Sequence, residues 1–260
     1  MANAFRVIVK TFKDIWGEMF LLVLMNLLAL LCIAVLPVLA FAILQVLGIP
    51  ITLPLFLGVM ALSTLSPFGP AAMLALYHVT NRVANDFAIS WDVFWDAFKK
   101  HFKKAWLFGI FSQFVTLAIP INAVWYPQMF GSQTWVSWVQ GAWLALGLFW
   151  LAISFYVMAF YAEQETKRWR TALRNSALIA ASNPLFTLTL LVFVGLLMGL
   201  SLLLTPVFIL LGLAIWTMFG SEAVVNRVNA FRERAAQSGK SDPAQANPPA
   251  TNTAQRPGGA

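Results

Sequence analysis

Every charged residue of this chain stands in one of four clusters, and the three stretches between the clusters carry no charge. The clusters run over residues 6–18, 82–104, 163–174 and 222–256, and hold three, five, four and five of the 17 Lys and Arg residues. The stretches between them, 19–81, 105–162 and 175–221, are 63, 58 and 47 residues long. A helix that crosses a bilayer needs about 20 apolar residues, so each stretch holds two crossings and not comfortably three. Two crossings form a hairpin that returns the chain to the side it left. All four clusters then share one side, and the bias of Lys and Arg toward inner loops makes that side the cytoplasm. The chain is expected to be all-α and polytopic, with six transmembrane helices as three hairpins, amphipathic helices on the cytoplasmic side, and both termini inside.

Composition points the same way. Of 260 residues, 60% are hydrophobic and 10% are charged, where a soluble domain carries roughly 45–50% and about 25%. An ordinary cytosolic enzyme is excluded. The net charge of +7 reads as inner-face charge facing an anionic leaflet, with no nucleic-acid partner expected.

The crossings fall at about residues 20–44, 53–77, 106–124, 136–161, 185–203 and 205–222. The second is broken over 66–70 by Ser66-Pro67-Phe68-Gly69-Pro70. Trp125, Tyr126 and Trp135 mark an aromatic belt around an outer loop at 125–133. The last pair follows from length: one helix over the 36 residues 185–220 would be about 54 Å long, against an apolar layer of about 30 Å. A tight turn at 201–206 is expected instead. Lys10 and Lys13 resemble the basic start of a signal peptide, but the apolar run at 19–45 far exceeds the usual 7–15 residues, so it reads as a retained first crossing.

Amphipathic inner helices are expected at about 4–17, 90–104 and 165–182. In the second, Ser90 suits an N-cap, and Asp92 lies in the first turn where an acid complements the helix dipole. Trp91, Phe94, Trp95, Phe98 and Phe102 share one face; Asp92, Asp96, Lys99, Lys100, Lys103 and Lys104 share the other. An aromatic face opposite a basic one is the pattern of a helix lying in the membrane interface. In the first, Phe5, Ile8, Val9, Phe12 and Trp16 oppose Arg6, Lys10, Lys13 and Asp14. Residues 1–234 form the membrane domain, and the tail at 235–260, with no apolar run, is expected to be disordered.

Motifs for phosphate loops, zinc hydrolases, dithiols and nucleophile elbows are absent. No cofactor, no metal and no enzymatic activity are expected. Cys32 lies within an apolar run and reads as packing. His78 and His101 form no metal-ligand spacing and read as packing or interfacial groups, and Glu163 and Glu165 as ordinary acids near a helix start. Asn26, Gln113, Asn122, Ser154, Thr187, Thr189 and Thr217 supply neutral polar groups at membrane depth, where interhelical hydrogen bonds are their usual role.

One pair of segments carries a family likeness. The run Gly69-Pro70-Ala71-Ala72-Met73-Leu74-Ala75-Leu76-Tyr77 is followed some 20 residues later by Phe94-Trp95-Asp96-Ala97-Phe98-Lys99-Lys100-His101-Phe102-Lys103-Lys104. Together with Leu173-Arg174-Asn175-Ser176-Ala177-Leu178 and Asn183-Pro184-Leu185, these resemble the YesL-like family of bacterial integral membrane proteins. The resemblance covers about residues 8–225 and implies a plasma-membrane protein associated with solute uptake, without catalytic residues to transfer. The expected function is that of a non-catalytic accessory to a carbohydrate or other solute uptake system, with an ABC-type transporter as partner. A small permease or channel is the alternative, and a membrane enzyme acting on lipid or glycan stands third. Contacts on the inner face would come from Gly69, Pro70, Ala75, Leu76 and Tyr77, and from Phe94, Trp95, Phe98, Lys99, Lys100, Phe102, Lys103 and Lys104.

Overall fold

The computed structural model describes residues 2–52, 55, 56, 59, 66–131 and 133–240. Among these residues every regular element is a helix. The elements are α1 (Ala2–Gly17), α2 (Met19–Val46), α3 (Phe68–Ala84), α4 (Trp91–Phe130), α5 (Thr134–Glu163), α6 (Trp169–Ser182), α7 (Pro184–Leu203) and α8 (Thr205–Lys240). The chain divides into two compact units, 1–225 and 226–260. The described part of the second unit, 226–240, is helical, with Arg232 Nη1 donating to Asn229 Oδ1 at 3.3 Å.

Five of these helices are long and apolar enough to cross a membrane: α2, α4, α5, α7 and the Thr205–Arg234 part of α8. Their outward faces stay bare. Phe20, Val46 and Leu203 are each more than 80% exposed. Bare apolar surface on this scale is a liability in water and the normal state against lipid, which is as apolar as the side chains themselves.

Several boundaries differ from those read in the sequence. The segments 90–104 and 106–124 are one helix, α4, of 40 residues, about 60 Å long. Lys103-Lys104-Ala105-Trp106 contains no Gly, Pro or capping residue, so nothing interrupts the ladder between the basic and apolar parts. The outer loop at 125–133 shrinks to a turn, because α4 runs through Pro127 to Phe130 and stops at Gly131, whose φ of +69° suits glycine. The third inner helix begins at Trp169 rather than 165. At 184–222 the chain forms two helices that part at Leu204, as the membrane thickness requires. The helix α8 continues to Lys240, so helix covers 235–240 of the expected tail, and 241–260 lie outside the described residues. Of the second crossing, 53–77, most of 53–65 is likewise outside them. Past the proline break the chain forms a separate 17-residue helix, α3, entered at Ser66, whose Oγ accepts from Phe68 N at 3.2 Å.

The core is built around α3. It packs against α2, α4 and α5, and Leu74, Ala75, Leu76, Tyr77 and Val79 are all buried. Small residues at Ala71, Ala72 and Ala75 let neighbouring backbones come close, which is how packing holds helices together in lipid. Two glycines on other helices complete the approach. Gly109 of α4 lies against the ring of Pro70, and Gly220 of α8 lies where a Cβ would sit 2.9 Å from Phe155 O. Polar groups tie the same helices. Asn26 of α2 donates to Ile209 O at 2.6 Å and accepts from Ala214 N at 2.9 Å on α8, Tyr77 Oη donates to Phe155 O at 3.3 Å, and Tyr156 Oη donates to Thr187 Oγ1 at 3.2 Å.

The faces of α1 are divided differently from the sequence reading. Ala4, Val7, Thr11 and Ile15 are buried, while Phe5, Val9, Phe12 and Trp16 stay exposed. Lys10 and Asp14, from the charged face of the sequence pattern, turn inward. Lys10 Nζ donates to Asp14 Oδ2 at 2.8 Å, to Glu222 Oε1 at 2.7 Å and to Ala84 O at 3.1 Å, with Asp86 Oδ1 at 3.7 Å. The carboxylate of Glu222 is only 3% exposed, and a buried charge requires a partner and hydrogen bonds.

Candidate functional site

Helical spacing on two elements builds one wall each of a polar cavity. On α3, His78, Asn81 and Arg82 recur at intervals of three and four and share a face. On α4, Val93, Asp96, Ala97, Lys100 and His101 do the same. With Ala162 at the end of α5 and Lys167 in the link to α6, these residues line a cavity of about 330 Å³. Three cationic side chains, Arg82, Lys100 and Lys167, line it beside a single acid, Asp96.

Two of the lining residues, His78 and His101, belong to a ladder of rings contributed by four elements. Phe108 (α4) stacks on Trp169 (α6) at 4.0 Å, and Trp169 stacks on Tyr161 (α5) at 4.0 Å. Tyr161 meets His101 edge-on at 5.6 Å, and His101 stacks on His78 (α3) at 4.9 Å with an interplanar angle of 17°. Tyr161 Oη lies 3.4 Å from His101 Nδ1, and Trp169 Nε1 donates to Lys104 O at 3.0 Å. Aromatic pairs of this geometry each add about 0.5–1.5 kcal/mol beyond area burial, so the ladder is fixed by packing.

Polar groups of the lining are held as firmly. Asn81 Nδ2 and Asn85 Nδ2 donate to Glu163 Oε2 at 3.0 and 3.1 Å. Lys167 adopts φ of +45°, a left-handed conformation rare for a residue with a Cβ, and its ammonium donates to Ala162 O. Burial lowers its pKa, with Lys100 acting in the same direction and Glu163 opposing. Arg82 Nε donates to Ala88 O at 3.2 Å, and its guanidinium lies 5.9 Å from the centre of the Phe87 ring.

His78 lies in α3, which is not one of the five apolar spans. Burial pushes its pKa down to about 4; the hydrogen bond to Leu74 opposes this, and Lys167, His101 and Lys100 add to it. Unfolded, the ring titrates near 6.5, so on acidification the unfolded state binds the proton first. The contribution to stability is complete above about pH 6.5 and declines toward pH 4. The thermal midpoint in detergent is accordingly expected to fall between pH 7 and about pH 5. A His78→Phe variant should show a shallower fall; an unchanged slope would mean that other groups set it.

The residues singled out in the sequence are scattered by the fold. Ala75, Leu76, Tyr77 and Phe94 are buried and offer no contact surface. A Cβ on Gly69 would meet Ile33, and Pro70 meets Gly109. Phe94, Trp95, Phe98 and Phe102 form a continuous ring ladder along the helix, of which Phe94 is buried, Phe102 meets Phe68 of α3, and Trp95, Phe98 and Phe102 stay half-buried. Lys99, Lys100, Lys103 and Lys104 are exposed, and of all these residues Lys100 alone lines the cavity. Sequence reasoning set aside both histidines because 23 positions separate them, with no ligand spacing to join them. The one available sign was that the chain's only two histidines fall on either side of a single short link. Among the described residues no group of three His, Cys, Asp or Glu could hold a metal ion.

No family model matches the chain, and neither does any curated protein or solved structure.

Proposed function

We propose that this chain is a six-span protein of the bacterial plasma membrane, termini inside, acting as a non-catalytic accessory to an uptake system for carbohydrate or another solute. The reading adopts the transport association implied by the resemblance to the YesL-like family. The sixth crossing would be supplied by 53–77. The observation that carries the proposal is the ridge of Lys99, Lys100, Lys103 and Lys104, exposed on the helix whose other side buries Phe94, Ala97, His101 and Ala105. Four ammonium groups on a rigid rod, each attracted to an anionic leaflet by about 1 kcal/mol, would present a fixed basic surface at the membrane to an ABC-type transporter or its ATPase. The polar groups of Asn26, Tyr156, Thr187 and Thr217 are engaged in hydrogen bonds within the protein, which favours an accessory over a permease.

Affinity capture in mild detergent tests it. The native chain should retain a transporter component, and the Lys→Gln variant at 99, 100, 103 and 104 should lose it. Retention of the same partner by that variant would sink the docking surface. Solute flux through vesicles holding the purified chain alone would replace the reading with that of a permease.

A further inference from the structure

A further cavity, apolar where the first is polar, lies between α1, the start of α2, α7 and α8, with a volume of about 300 Å³. Ile15 and Ile215 are buried on its inner side, whereas Trp16, Leu200 and Val207 are exposed at its mouth. Phe12 fixes one wall: its ring meets Phe193 of α7 at 6.2 Å and Phe219 of α8 at 6.0 Å, both edge-on. One group in the lining does not suit an apolar space. A serine or threonine inside a helix can donate to the carbonyl four residues back, and Thr189 of α7 does so, to Leu185 O at 2.7 Å. Ser201 of the same helix does not. Its hydroxyl makes no hydrogen bond among the described residues, and its Oγ keeps accessible surface although the residue as a whole is only 5% exposed. The pocket therefore presents a free hydroxyl, and a buried hydroxyl without a partner is costly.

We propose that this pocket binds one acyl chain of a membrane glycerolipid, whose ester carbonyl accepts from Ser201 Oγ. The chain fills the apolar space, and the carbonyl, which only accepts, meets the hydroxyl that lacks a partner. The mouth is continuous with the bare apolar surface at the junction of α7 and α8, where Leu203 and Leu204 are 83% and 52% exposed, and such a surface faces lipid. The pocket also lies at the edge of the apolar layer. Lys13, Asp14 and Glu18 flank its α1 residues along the chain, and charged groups keep to the membrane surface. An indole such as that of Trp16 prefers the same level. Ester groups stand there too, between the headgroups and the hydrocarbon. A space of about 300 Å³ is at the small end of ligand pockets and takes one chain rather than a whole lipid. The site rests on the chain's place in a membrane and not on docking to a transporter.

The test reconstitutes the full chain in phosphatidylcholine vesicles with a trace of the same lipid bearing a diazirine on one acyl chain. After irradiation, peptide mass spectrometry locates the labelled residues. Labelling should concentrate on the lining, at Phe12, Leu200 and Val207, over Phe114 and Leu148, which lie outside the pocket and are 75% and 67% exposed. Contact with bulk lipid alone predicts the reverse order, since the three lining residues are less exposed. Ser201→Ala removes no hydrogen bond within the protein and should keep the native thermal midpoint. It should lower labelling of the lining about fivefold, the weight of one hydrogen bond, and leave Phe114 and Leu148 unchanged. A dialkyl ether probe, which lacks the carbonyl, should label the native lining as weakly as the ester probe labels Ser201→Ala. Labelling of the lining no stronger than that of Phe114 and Leu148 would overturn the site. Enriched labelling that survives either Ser201→Ala or the loss of the carbonyl would overturn the contact that defines it.

Discussion

A Lys10→Met variant is expected to lose about 1–3 kcal/mol of stability, the cost of leaving a buried polar group without its hydrogen-bond partner. The group left behind is Glu222, whose side chain is 3% exposed, whereas that of Lys10 is 36% exposed. Lys10 joins Asp14 on its own helix, Glu222 on α8 and the carbonyl of Ala84 at the end of α3. Methionine fills a similar volume but leaves the buried Glu222 carboxyl without its donor. The loss should appear as a lowered thermal midpoint in detergent. Adding Glu222→Leu to the same chain should recover part of it, since the cost lies in a buried polar group left without its partner and not in lost packing. A double variant as unstable as Lys10→Met alone would show that the lysine acts by packing.

Substitution of Gly109 by alanine is the second large effect. A Cβ there would overlap the ring of Pro70, and a proline ring has no rotamer that clears the space. The helices α3 and α4 would have to part. Overpacking of this kind costs about 1–3 kcal/mol, partly offset by the roughly 1 kcal/mol that alanine gains over glycine in a helix. Gly141, exposed and with nothing within 4 Å of its added Cβ, isolates that gain. Gly141→Ala should raise the thermal midpoint and Gly109→Ala should lower it. The stack of His78 on His101 at 4.9 Å bridges the same two helices, so Gly109→Ala should also loosen that stack. Unaltered stability of Gly109→Ala would mean that the α3–α4 contact is looser than the approach of Gly109 to Pro70 indicates.

Much of the architecture was legible because a bilayer imposes a simple rule on sequence. Residues 19–46 and 136–161 have to be helical, since lipid offers no partner for backbone polar groups, and their observed helices lie close to the expected limits. Asn183-Pro184 marks the start of α7 in the same direct way. The aromatic and basic faces of residues 90–104 were also visible, but the direction those aromatic rings would take was not. Their pattern suits a helix lying on lipid equally well, and the neighbour that meets Phe102, Phe68, lies on a different helix.

The cavity was not legible for a related reason. His78, His101, Tyr161, Lys167 and Trp169 belong to separate elements or to the link between two of them, and no periodicity within one element brings them together. Lys10 and Glu222 are 212 positions apart. The sequence by itself determined that the chain is helical and where charge is allowed, because burial of backbone and charge in an apolar medium is a local cost, counted segment by segment. Tertiary structure alone decided which charges meet and which nitrogen is left without a donor, because those outcomes depend on how closely the small residues of α3 and the glycine of α4 let their helices approach.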